Sequence, residues 1–82
     1  MMPVRYVYIH QSEVDPERFY TGSTSDLERR LKEHNSGRST HTNKFRPWKI
    51  KTYVAFEDDH RANAFEKFLK TGNGRIFAKK RL

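Results

Sequence analysis

Phe19-Tyr20-Thr21-Gly22-Ser23-Thr24-Ser25-Asp26-Leu27-Glu28-Arg29-Arg30-Leu31-Lys32-Glu33-His34-Asn35 passes from a strand pattern to a helix pattern. Arg18-Phe19-Tyr20-Thr21 is aromatic and β-branched, which predicts a strand ending at Gly22. Ser25-Asp26-Leu27-Glu28 reads as a capping box. In that arrangement the Ser25 hydroxyl would accept from the Glu28 N–H, and the Glu28 carboxylate would reach back to the Ser25 N–H. The spacing predicts a helix from there to about Asn35, with Gly37 placed to stop it. Leu27 and Leu31 form its narrow apolar stripe. Glu28/Lys32 and Arg29/Glu33 are opposite charges four apart and support the exposed side.

Upstream, Val4 to Gln11 is rich in aromatic and β-branched residues and reads as another strand. Ser12 to Glu17 is polar and contains Asp15-Pro16, so a short antiparallel hairpin is the simplest connection. Tyr6, Tyr8 and His10 share one face of the first strand; Tyr20 and Gly22 share a face of the second. Downstream, Gly37 to Pro47 is a basic, polar loop carrying Arg38, His41, Lys44 and Arg46. Trp48 to Phe56 alternates, with Trp48, Ile50, Thr52, Val54 and Phe56 on one face and Lys49, Lys51, Tyr53 and Ala55 on the other. Asp58 or Asp59 caps a helix expected to reach about Lys70 and stop at Gly72. Gly72-Asn73-Gly74 reads as a helix–helix joint, and Arg75 to Arg81 as a short basic helix. The predicted order is strand, strand, helix, strand, helix, helix, in one domain spanning residues 1–82.

Composition narrows the chemistry. The chain has 82 residues, enough for one domain. It holds 17 Lys and Arg against 10 Asp and Glu, a formal charge of +7, so an anionic partner is expected and nucleic acid leads. There is no cysteine, which excludes disulfides, cysteine-ligated zinc, iron–sulfur clusters and a thiol nucleophile. Apolar runs are only a few residues long, too short to span a membrane. Met1-Met2-Pro3 leads straight into the first strand pattern with no signal-peptide core, so a soluble cytoplasmic protein is expected. With aromatic residues at 13%, much of a thin core must rest on them.

A few residues stand out against that background. Glu66 lies at the edge of the Ala62/Phe65/Leu69 stripe, where a carboxylate needs a partner. Lys70 at i+4 offers an ion pair; a bound cation is the alternative. Arg30 and His34 are four apart and flank the Leu27/Leu31 stripe. Such an Arg either snorkels over apolar surface or aims its donor fork at a phosphate. Such a His either suits the helix C-terminus or relays a proton. Tyr8 and Tyr20 are packing residues on a half-buried sheet, or their hydroxyls converge on a site bordered by the Lys49/Lys51 face. Basic side chains interleaved with aromatics suit a sugar–phosphate backbone. His10, His41 and His60 show no metal-ligand spacing.

In their order, Tyr6-Val7-Tyr8, Phe19-Tyr20-Thr21-Gly22, the helix Leu27 to Asn35 and Ala62 to Lys70 closely resemble the GIY-YIG nuclease superfamily. The likeness covers nearly the whole chain and is to the small single-domain branch, similar to the N-terminal domain of the bacterial excision-repair nuclease subunit. Tyr6 stands where that family's first motif has glycine, and Thr21 where the second has isoleucine; both tyrosines are kept. The resemblance implies an α+β domain with a central three-stranded antiparallel sheet flanked by helices. It implies hydrolysis of phosphodiester bonds in DNA with one divalent ion, Mg²⁺ or Mn²⁺.

Matched position by position, Tyr8, Tyr20, Arg30, His34 and Glu66 would be catalytic, with Glu66 as the metal ligand and Gly22 as the closing glycine of the second motif. Tyr8 would orient or deprotonate the attacking water, which needs a nearby cation to lower a pKa normally near 10. Arg38, Lys44, Arg46, Lys49 and Lys51 would bind the nucleic acid, and a protein partner would supply specificity. The alternatives are a non-catalytic nucleic-acid-binding module that retains the fold, and an interaction domain within a larger repair complex.

Overall fold

The computed structural model describes residues 4–38 and 42–82, so His41 lies outside the described residues. Three strands, β1 (Arg5–Ser12), β2 (Phe19–Thr24) and β3 (Trp48–Phe56), form one antiparallel sheet in the order β2-β1-β3. Helix α1 (Leu27–Asn35) lies between β2 and β3 in sequence; α2 (Asp59–Leu69) and α3 (Gly72–Arg81) follow β3. The strand and helix order is the one expected. Among the described residues, no helix is long and apolar enough to cross a membrane.

The two sheet faces are divided between the helices. Val7 and Ile9 of β1 form a core cluster with Ala62 and Leu69 of α2, joined by Phe56, Phe65, Ala78 and Leu82. The opposite face carries Tyr8 and His10, which meet Arg30 and His34 of α1. Period-two alternation along β1 thus sends its aliphatic residues to α2 and its aromatic and polar ones to α1.

β3 does not keep a single face. Ile9 pairs with Thr52 but His10 pairs with Ile50, so Lys51 is an extra residue in a bulge. Residues paired across a sheet share a face. Thr52 and Val54 therefore stand with Ile9 and Val7, whereas Trp48 and Ile50 stand with Ser12 and His10. Trp48 accordingly stacks on His34 of α1, while Phe56 packs on Phe65 of α2. The expectation of one apolar face on this strand is corrected by that one-residue insertion.

Three local boundaries also differ from expectation. β2 runs through Gly22 to Thr24, because Gly22 pairs with Tyr8 as a buried member of the ladder. The α1 cap is Asp26 rather than Ser25: its carboxylate accepts from the Arg29 N–H at 3.1 Å. Thr24 Oγ1 accepts from the Asp26 N–H at 3.1 Å, filling the place a reciprocal glutamate takes in a capping box. Finally, Gly72-Asn73-Gly74 is the first turn of α3. Thr71 caps it by accepting from the Gly74 N–H at 3.0 Å, and buried Gly74 lies against the Phe68 carbonyl, where a Cβ would collide. The end of α1 is as expected, with Gly37 at φ 84°.

Candidate active site

The site grows from a contact between Tyr8 and Gly22. They are directly paired across β1 and β2, and the phenol end of Tyr8 lies flat over the glycine. A Cβ at position 22 would come within 2.6 Å of Tyr8 Cζ, so only glycine leaves room for the ring. Tyr8 is thereby 1% exposed, yet its hydroxyl accepts a hydrogen bond from Arg30 Nε at 3.0 Å. Arg30 reaches it from α1, with its Nη1 4.0 Å from Glu33 one turn on. The Tyr20 phenol also bears on Arg30.

One turn beyond Arg30, His34 is the buried residue of α1. Its ring stacks on Trp48 at 4.6 Å with planes 10° apart, and lies 4.7 Å from the Tyr20 ring. Asn35 clamps β3 beneath this stack. Its Oδ1 accepts from the Trp48 N–H at 2.6 Å and its Nδ2 donates to the Trp48 carbonyl at 3.0 Å. Tyr20, Arg30, Glu33, His34 and Arg38 line a cleft of about 210 Å³.

Charge in the cleft is set by burial and by Arg30. Burial raises the Tyr8 pKa; the Arg30 hydrogen bond and charge oppose it, while Tyr20 and Glu66 add to the rise. The net direction is opposite to the lowered pKa that a base role for Tyr8 requires: desolvation of a buried phenolate outweighs the Arg30 guanidinium. The Arg30 pKa rises, chiefly through its bond to Tyr8. Burial lowers His34 to about 4, helped by Arg30. Both Tyr8 and His34 are neutral at pH 7.

Glu66 comes from α2, the helix on the other face, yet its charge acts on Tyr8. Its side chain is only 23% exposed, and it makes the i,i+4 ion pair with Lys70 at 2.9 Å. Among the described residues, no three His, Cys, Asp or Glu side chains cluster as a metal cage. A single half-buried carboxylate fits a hard divalent cation that keeps most of its waters, and does not fit zinc.

The basic residues divide. Arg38 lines the cleft, and Lys44 and Arg46 border a shallower groove of about 500 Å³ with Asn35, Asn43 and Pro47. Lys49 pairs with Gln11, and Lys51 lies over the Phe19 ring at 5.1 Å, so both stand on the α2 side of the sheet. The expectation that the β3 lysines border the tyrosine surface is overturned by the register. Sequence reasoning passed over His10 and Asn35. His10 shares the Tyr8 face by alternation, which was the signal available for it; Asn35 looked like no more than the end of a helix.

The model of the GIY-YIG catalytic domain matches residues 4–81. The structure-specific endonuclease subunit SLX1 of Scheffersomyces stipitis is 46% identical over 50 residues, covering 54% of this chain and 15% of that protein. SLX1 of Meyerozyma guilliermondii is 48% identical over 50 residues, 54% of this chain and 17% of that protein. A UPF0213 protein of Haloquadratum walsbyi is 50% identical over 32 residues, 39% of this chain and 36% of that protein. The chain thus matches well under half the length of these relatives. Two strands that set Tyr8 beside Tyr20, a helix that brings Arg30 to the Tyr8 hydroxyl, and a family match over nearly every residue lead to one conclusion: this chain belongs to the GIY-YIG family.

Proposed function

We propose that the protein is a metal-dependent endonuclease that hydrolyses phosphodiester bonds in DNA, in repair or recombination. The observation that carries this reading is the Arg30–Tyr8 hydrogen bond at 3.0 Å, made at the wall of a cleft that Glu66 influences from the far helix. A guanidinium fixed by a phenol is a preorganised donor for a phosphate oxygen. The relatives' printed names, structure-specific endonuclease subunits, support the same activity and a protein partner.

In this reaction water adds to phosphorus, the P–O3′ bond breaks, and the departing 3′ oxygen gains a proton. Arg30 balances the charge that grows on the phosphoryl oxygens. Tyr8, a neutral phenol that accepts from Arg30, keeps its own proton to donate; it orients water or phosphate rather than acting as a base. Tyr20 packs on the His34 ring, and His34 forms part of the cleft wall beside Arg30. Arg38 extends the positive wall, with Lys44 and Arg46 in the neighbouring groove. Glu66 would hold Mg²⁺ or Mn²⁺, which when bound supplies charge neutralisation at the phosphate and at the leaving oxygen.

The test is nicking of supercoiled plasmid with Mg²⁺, with Mn²⁺ and with EDTA, comparing wild type with Glu66→Ala. Metal-dependent nicking that disappears in the variant is expected. Retarded but intact plasmid in every lane would favour a non-catalytic binding module, for which the Glu66–Lys70 ion pair would be the carboxylate's whole role. Full-rate cleavage by Glu66→Ala would refute the metal-ligand assignment.

A further inference from the structure

The sheet face that carries Tyr8 extends beyond the cleft. Tyr8 pairs with Gly22 on β2 and with Tyr53 on β3, so these three residues form one row on one face. Tyr6 shares that face by alternation and pairs with Thr24 and Ala55. Helix α1 covers the far end of this face, where His34 stacks on Trp48 and meets His10. Towards Tyr6 the cover thins: Tyr53 is 52% exposed, Ala55 is exposed and Tyr6 is half-buried.

Tyr53 is nonetheless held in place. Its ring meets the Tyr6 ring at 5.7 Å with planes 78° apart, an edge-to-face contact. A ring fixed in advance loses little freedom when a ligand lands on it. The other exposed aromatic residues described stand elsewhere. Phe19 pairs with Gln11 on the α2 side, and Phe68 and Phe77 pack on each other on α2 and α3. Tyr53 is therefore the exposed ring on the Tyr8 face.

Its surroundings select the ligand. Tyr6, Tyr8 and Ala55, its neighbours on this face, carry no charge, and Lys49 and Lys51 stand on the other side of the sheet. A flat neutral group suits that setting better than an acidic peptide does. The Tyr8 phenol leans over Gly22, where Arg30 meets it. Gly22 and Tyr53 lie two strand spacings apart, about 10 Å. That is of the order of the span from a phosphate to a neighbouring base. A base inside a duplex has both faces covered, so only an unpaired or terminal base has a free face for an aromatic ring.

We propose that Tyr53 is a stacking platform for an unpaired base of the nucleic-acid substrate, beside the phosphate that Arg30 holds. The position of that phosphate rests on the nuclease reading. The platform adds a preference to it: a base near the scissile bond must leave the duplex stack. Stacking of this kind tolerates any base, because each has a π face. The Tyr53 ring carries the contact, and its hydroxyl is dispensable.

The test is binding of a single-stranded DNA oligomer of about 12 nucleotides, followed by fluorescence anisotropy in EDTA so that binding is read apart from cleavage. A second oligomer of the same length, made wholly of abasic nucleotides, keeps the phosphates and lacks the bases. Tyr53→Val keeps a β-branched strand former and removes the ring. It should lose about tenfold in affinity for the base-bearing oligomer and less than about twofold for the abasic one. Its salt slope should match wild type, because no phosphate contact is removed. Tyr53→Phe and Tyr53→Trp should bind the base-bearing oligomer at least as tightly as wild type. Equal loss on both oligomers, no loss on either, a wild type that binds neither, or a Tyr53→Phe as weak as Tyr53→Val overturns the proposal. Tyr53→Thr takes the place of Tyr53→Val if the latter lacks a native thermal transition. If the base-dependent loss appears but plasmid is never nicked, the platform stands and the nuclease reading fails alone. If plasmid is nicked and the loss is absent, the platform fails alone.

Discussion

Gly22→Ala is the sharpest test of how the site is built. The added methyl would come within 2.6 Å of Tyr8 Cζ and 3.2 Å of Cε2. Tyr8 is 1% exposed, so the ring has nowhere to go without disturbing α1 or the sheet. Overpacking of this kind costs about 1–3 kcal/mol. The ring's displacement also breaks the Arg30–Tyr8 hydrogen bond; a bond to a charged donor is worth about 1.5 kcal/mol at the low end, suited to a half-exposed arginine. Alanine returns roughly 0.5–1 kcal/mol of strand propensity. The net expectation is a loss of about 1.5–4 kcal/mol, or roughly 6–30 °C in Tm for a domain of this size. Urea unfolding of wild type, Gly22→Ala, Tyr8→Leu and the double variant closes a cycle. In the Tyr8→Leu background the alanine should cost little. A Gly22→Ala protein within about 0.5 kcal/mol of wild type, or equal alanine costs in both backgrounds, would refute the placement of the phenol on the glycine.

Three other outcomes are expected. His10 and His34 have folded pKa values lowered to about 4 from 6.5, so the unfolded chain binds more protons between those limits. Stability is then complete above about pH 6.5 and falls as pH drops towards 4; a pH series of melts in His10→Asn should show a shallower decline. Asn35→Ala removes both side-chain bonds to the Trp48 backbone and should cost about 2–4 kcal/mol by urea titration, with Asn35→Asp worse for the 3.0 Å donor than for the 2.6 Å acceptor. Arg38→Gln should reduce the salt slope of DNA binding by about 1, whereas Lys49→Gln, on the other side of the sheet, should leave it nearly unchanged in a filter-binding series.

The elements and their order were written in local chemistry. The aromatic and β-branched run over Val4–Gln11, the alternation along Trp48–Phe56, a polar cap just before Leu27 (read one residue early, at Ser25) and Gly37 after Ser36 are short-range signals read without tertiary information. The candidate set Tyr8, Tyr20, Arg30, His34 and Glu66 came instead from the resemblance of their order to the GIY-YIG family; taken singly, each residue also had an ordinary packing or ion-pair reading. The chain also determined that a cleft histidine and arginine share one helix face, because four residues make about one turn.

Tertiary structure decided what these residues do to one another. Helix spacing could say that Glu66 borders a buried stripe with Lys70 in reach, but only packing gives it an influence on Tyr8 from the opposite layer. Alternation put Trp48 with Phe56; the bulge at Lys51, a property of two strands in register, put Trp48 under His34 instead. The direction of the Tyr8 shift depends on how deeply the phenol is buried against how closely Arg30 approaches, and neither quantity exists in an unfolded chain. The His10–His34 pair, 24 residues apart, shows the same limit: alternation and helix period each place one ring, and only the docking of α1 onto β1 brings their nitrogens to 2.9 Å.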